Sequence, residues 1–136
     1  MKSKVTLKDG MHFMGELDGF DVPVDADAKV GGRNLGPKPK GLMLTSLAGC
    51  TGMDVISILR KMKIEPDGFS VETEAELTDE HPKVFKNVKI IYRLKGNDIP
   101  REKVQRAVEL SQDKYCGVSA MLKVAVPIEY EIVIEE

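Results

Sequence analysis

The segment GPKPKGLMLTSLAGCTGMDVISILRKM, residues 36–62, passes from a loop into a run without a charge between Gly41 and Met53. Pro39 suits a first helical turn, where its missing N–H leaves no bond unmade. Arg60, Lys61 and Lys63 suit the negative end of a helix dipole. These signals predict a central helix over about 39–62. Its apolar residues include Leu42, Met43, Leu44, Leu47, Ala48, Met53, Val55, Ile56, Ile58 and Leu59. A helix that is apolar nearly all round demands cover on every side. One chain of 136 residues with short strands barely supplies it. A homodimer that packs two such helices together resolves the problem. The helix reads as too polar and too interrupted for a membrane span, which takes about 20 predominantly apolar residues.

Outward from the helix, the chain reads as an α+β fold. Residues 29–41, KVGGRNLGPKPKG, are rich in glycine and proline and form a loop with special backbone geometry. Before it, Val5–Leu7, Met11–Leu17 and the alternation of Phe20, Val22 and Val24 give three short strands. Pro23 favours an edge position for the third. After the helix, Phe69, Val71, Thr73, Ala75 and Leu77 alternate as a strand, and Val88–Leu94 gives another. Val104, Ala107, Val108 and Ser111 mark one face of a helix running to about Lys114. Cys116–Lys123 reads as a shorter helix and Ile128–Ile134 as a last strand. The expected order is β-β-β-α-β-β-α-α-β in a single domain over 1–136, with strands at 1–28, loop and helix at 29–64 and the remainder at 65–136.

Composition narrows the function. Hydrophobic residues make up 42% and charged ones 31%, a globular balance. Twenty basic against twenty-two acidic residues leave no basic field for a phosphate backbone, so nucleic acid is not an expected partner. No tryptophan is present to build a stacking platform. The opening MKSKVTLKDG has no apolar stretch behind its lysines and does not read as a signal peptide, which places the expected location in the cytoplasm.

Cys50 and Cys116 lie 66 positions apart, so no Cys-x-x-Cys motif exists. Neither they nor His12 and His81 show zinc-ligand spacing, and neither a metal nor another cofactor is expected. Gly36–Gly41 has the glycine spacing of a phosphate-binding loop, but Leu42 and Met43 stand where lysine and a hydroxyl residue are required. Cys50 is ringed by Ser46, Ala48, Gly49, Thr51 and Gly52, which either permit close helix packing or leave room above a sulfur. Gly49 and Gly52 each cost about 1 kcal/mol against alanine inside a helix. Cys116 opens a short helix, where the dipole favours a thiolate. Arg33 is the one arginine before Cys50.

Residues 36–62 together with LSQDKYCGVSAMLK, residues 110–123, resemble the osmotically induced protein C and organic hydroperoxide resistance (OsmC/Ohr) family. The resemblance implies an intertwined homodimer of antiparallel strands around a long buried helix. It also implies thiol-dependent reduction of organic hydroperoxides in defence against oxidative stress. It casts Cys50 as the peroxidatic thiol, Cys116 as the resolving thiol and Arg33 as the cation that stabilises thiolate and leaving alkoxide. The implied substrate lies in an apolar pocket beside Met43, Leu47 and Met53. The implied reductant is a dithiol of lipoyl type. One departure is visible: the family places a glutamate just after the proline that precedes the helix, to anchor the arginine. Here Lys40 and Gly41 follow Pro39, and neither is acidic. That departure favours an alternative, a non-catalytic small-ligand or redox-sensing module on the same scaffold.

Overall fold

A computed structural model describes residues 1–136. The chain divides into two compact units, Met1–Met43 and Leu44–Glu136. The first holds three strands, β1 (Ser3–Asp9), β2 (His12–Leu17) and β3 (Phe20–Val24), in a sheet of that order. Both pairings are antiparallel, and β3, with Pro23, is an edge as expected. A short 3-10 turn, Ala28–Val30, opens the next loop. At Gly32 even a Cβ would lie 1.7 Å from the Ala26 carbonyl oxygen, so only glycine fits.

The division falls in the first turns of α1 (Pro39–Lys61), the long helix predicted. The second unit then adds β4 (Gly68–Leu77), β5 (Phe85–Lys95), α2 (Arg101–Leu110), α3 (Gly117–Lys123) and β6 (Ile128–Glu135). β4 pairs antiparallel with β5, while β5 and β6 run parallel. The antiparallel strands expected are present in three pairings, and the β5–β6 pair alone departs from them. The α2–α3 segment carries the chain back before β6 begins, and only a crossover joins parallel neighbours.

Alternation sets the faces of this second sheet. Val88, Ile90, Tyr92 and Leu94 of β5 are fully or almost fully buried, with Ile132 of β6 beside Tyr92. Phe69, Val71 and Ala75 of β4 pack on the same core. The other face carries charge: Arg93 pairs with Glu72 at 2.9 Å and Glu135 at 3.4 Å.

The core receives Leu47, Thr51, Val55 and Leu59 from α1, a single stripe of fourth-residue spacing. The expected burial on every side is not seen within one chain. Met53 is 74% exposed and Met43 44%, because the sheet and α2 cover only the stripe that faces them. Measured by length and hydropathy (1.6 over an 18-residue window), α1 does reach the composition of a bilayer span, against the expectation from sequence. Its buried stripe joins a core of strands and helices instead.

α2 buries Val104, Ala107 and Val108, the face that periodicity marked. The helix does not continue regularly to Lys114. It widens into a π turn, Ser111–Tyr115, closed by the Cys116 N–H donating to the Ser111 carbonyl at 2.7 Å.

Candidate functional site

Cys50 sits on α1 and Cys116 at the N-cap of α3, just after the π turn. Folding removes their separation in sequence. The two sulfurs and a carboxylate oxygen of Asp54 all lie within 4.8 Å of one another. Asp54 lies four residues after Cys50, one helical turn, so both side chains project from the same face of α1. Cys50 is half-buried and Cys116 almost completely enclosed.

The helix-end position of Cys116 favours a thiolate, but its surroundings oppose one. Burial pushes the Cys116 thiol up to about 11. The Ser119 N–H, which donates to its sulfur at 3.4 Å, works in the opposite direction and does not prevail. The neighbouring Cys50 and the charge of Asp54 raise it further. A seven-residue helix end in an enclosed setting does not offset desolvation of an anion.

Beneath the sulfurs lies a polar network that sequence reasoning missed. Thr51 Oγ1 shares hydrogen bonds with Tyr92 Oη at 2.6 Å and Ser111 Oγ at 2.7 Å. Gln112 Nε2 donates to Tyr92 Oη at 3.0 Å, and Gln112 Oε1 accepts from Ser119 Oγ at 2.7 Å. Ser111 Oγ donates to Asp54 at 2.9 Å, which joins the network to the thiol cluster. Burial pushes the Tyr92 hydroxyl up to about 12, so it stays a neutral donor and acceptor. The π turn directs Ser111 and Gln112, consecutive residues, into the interior together.

The small residues around Cys50 divide by role. Thr51 is a fully buried network member. At Gly52 a Cβ would meet Val71 of β4 at 3.3 Å, so this glycine permits helix-on-sheet approach. Gly49 opens on nothing within 4 Å. Alongside, an open groove of about 460 Å³ is lined by Met53, Asp54, Ser57, Ile58, Lys61, Leu110 and Tyr115. Of the three apolar residues expected to line a pocket, Met53 does so, whereas Leu47 is fully buried in the core and unavailable.

Arg33 belongs to the first unit. Its guanidinium pairs with Asp9 at the end of β1, and its N–H donates to Asp25 at 3.1 Å. Asp25 also accepts from Ala26 and Leu35, and it is nearly enclosed. Burial opposes its charge, but these three N–H groups and nearby His12 prevail and hold its carboxyl below the usual carboxylate range. Arg33, in the loop before α1, thus has its ion-pair partner on β1, while Lys40 and Gly41 offer no carboxylate.

A thiol pair braced by a buried polar network, on an α+β scaffold with one parallel crossover, defines a cysteine-based domain. The model of the OsmC-like protein family matches residues 31–131, and the chain belongs to that family. It is 32% identical to Protein YhfA of Escherichia coli strain K12, over 98% of each chain. A hypothetical protein from Aquifex aeolicus VF5 superposes with a TM-score of 0.83 at 27% identity, covering 99% of this chain and 97% of that one. The organic hydroperoxide resistance protein OhrB of Bacillus subtilis shares the fold at 24% identity, with a TM-score of 0.69 and coverage of 97% and 98%. Members of the family are typically homodimeric.

Proposed function

We propose that this protein reduces organic hydroperoxides by thiol chemistry. The observation that carries the reading is the placement of Cys50 and Cys116 sulfurs within 4.8 Å, one reachable and the other enclosed. The Cys50 thiolate attacks the distal peroxide oxygen, the O–O bond breaks, and the alkoxide leaves as an alcohol after taking a proton. Cys50 is then a sulfenic acid. The Cys116 thiol condenses with it, expelling water and forming a disulfide. An external dithiol restores both thiols by exchange and is itself oxidised to a disulfide. The sulfurs must close to about 2.05 Å for this bond, which asks for side-chain rotation or a small shift of the α3 start. Arg33 is the proposed cation for thiolate and alkoxide, its guanidinium held by Asp9.

The protein acts as a cytoplasmic homodimer in this reading. Met53 on α1 and the apolar side chains displayed by the first sheet support a second copy as the missing cover. The alternative, a redox-sensing or ligand-binding module, is favoured by one observation. The Asp54 carboxylate stands beside both sulfurs, and its charge opposes ionisation of Cys116.

Turnover of cumene hydroperoxide with a dithiol separates the two. Cys50→Ser is expected to abolish consumption. Cys116→Ser is expected to complete a first turnover and then stall, with the sulfenic acid trapped by dimedone. No turnover in the wild-type protein would transfer the assignment to the sensing module, and full turnover in Cys50→Ser would remove Cys50 as the attacking thiol.

A further inference from the structure

The same two sulfurs and the Asp54 carboxylate meet the requirements of a metal site that ligand spacing in the sequence did not reveal. We propose that Cys50, Asp54 and Cys116 bind a single thiophilic divalent cation of the zinc class, with a fourth position open to the groove.

The donor set carries the choice of ion. Two thiolates and one carboxylate match zinc, cobalt or cadmium rather than magnesium or calcium, which take oxygen ligands alone. Three protein ligands with one open position is the pattern of an accessible rather than a closed structural site. The geometry is near to fitting. Tetrahedral metal–sulfur bonds of about 2.3 Å require donor atoms roughly 3.5–4 Å apart, and these three lie within 4.8 Å. About 1 Å of closure completes the site.

Outer partners are already in position. Ser111 Oγ donates to Asp54 at 2.9 Å, and the Ser119 N–H donates to Cys116 Sγ at 3.4 Å. Each orients a proposed ligand, as supporting hydrogen bonds do around established metal centres. Behind them, Ser119 is tied to Gln112, and Ser111 to Thr51. Asp54 also lines the groove between α1 and the end of α2, which gives an ion its path in. Binding forms two metal–sulfur bonds and one metal–oxygen bond and releases the protons the thiols carried. No electron moves. A bound cation withholds both sulfurs from peroxide, so occupancy and oxidation of this pair exclude one another.

Reduced, metal-free full-length protein titrated anaerobically with Co²⁺ tests this without reference to turnover. The expected result is a tetrahedral ion, one for each chain, with an intense near-ultraviolet thiolate-to-cobalt band, displaced by Zn²⁺. Cys50→Ser and Cys116→Ser should each lose band intensity and affinity. Asp54→Asn should keep both thiolate contributions and weaken binding about tenfold or more. Wild type oxidised with diamide serves as the control that needs no substitution, and it should bind no cobalt. No charge-transfer band in reduced wild type, or wild-type affinity in Cys50→Ser or Asp54→Asn, overturns the site. Cobalt binding without peroxide turnover sinks the reductase reading alone, whereas turnover without cobalt binding sinks only the metal site.

Discussion

The two three-stranded sheets are built from similar apolar residues and meet different fates. In the second, Val88, Ile90, Tyr92 and Leu94 share a face with Ile132 and lie against helices, with at most 6% of any of them exposed. In the first, Val5, Leu7, Leu17 and Phe20 also fall on one face, because Val5 pairs with Gly15 and Leu17 with Phe20. Their exposure runs from 38% to 74%. Alternation places side chains on a common face in both cases, and it carries no information about what lies opposite. One sheet finds its cover within the chain. The other displays a surface of the kind that binds a partner.

The sharpest way to break this comparison is to truncate one residue from each region. Leu47→Ala removes a fully buried α1 side chain from the second unit and is expected to cost about 2–5 kcal/mol in denaturant unfolding. Phe20→Ala, at a side chain 74% exposed, should cost within about 0.5 kcal/mol when the protein is dilute enough to be monomeric. Comparable losses at both sites under those conditions would mean that the first sheet is covered within the chain after all.

A smaller effect is expected from the buried hydroxyl network. Tyr92→Phe leaves Thr51 and Gln112 short of a partner at a fully enclosed position and should cost about 1–3 kcal/mol. It should also change the alkaline limb. The folded Tyr92 titrates at about 12 against an unperturbed 10.0, so its neutral form contributes stability below pH 10.0 that is lost as pH rises toward 12. Cys116, raised from 9.0 to about 11, gives a loss in the same direction that begins earlier. In Tyr92→Phe the decline above pH 10.0 should be shallower, as urea midpoints across the alkaline range would show.

The smallest effect on chain stability belongs to the exposed face. Phe20→Lys should leave the unfolding midpoint of the dilute monomer nearly unchanged while weakening self-association, read as a lower sedimentation coefficient at micromolar concentration. An unaltered sedimentation profile would remove this face from the subunit interface.

The alternations that separate the sheets were legible in the sequence. So was the inner face of α2, where Val104, Ala107, Val108 and Ser111 recur at helical spacing and are all buried. The parallel β5–β6 pairing was not, since residue pattern sets which face is apolar and leaves strand direction open. At the site, the resemblance brought Cys50 and Cys116 together, which spacing alone did not. Asp54 was overlooked although its signal was present, a carboxylate one turn after a cysteine on the same helix face. Gln112 had no such signal. A regular α2 would not bury it beside Ser111, and only the π turn gives both an inward course.

That turn also fixes an angular phase for everything downstream. Each residue added to or removed from a helical segment rotates the chain beyond it by about 100°. Ser111–Tyr115 holds one residue more per closing bond than an α turn, with Cys116 immediately after it. Deleting a single residue there would let the segment relax to ordinary helix, conserve nearly all of its backbone bonds, and swing Cys116 away from α1. The distance between the two sulfurs is thus governed by a count of residues in the crossover, and a change invisible to composition or charge would uncouple the pair.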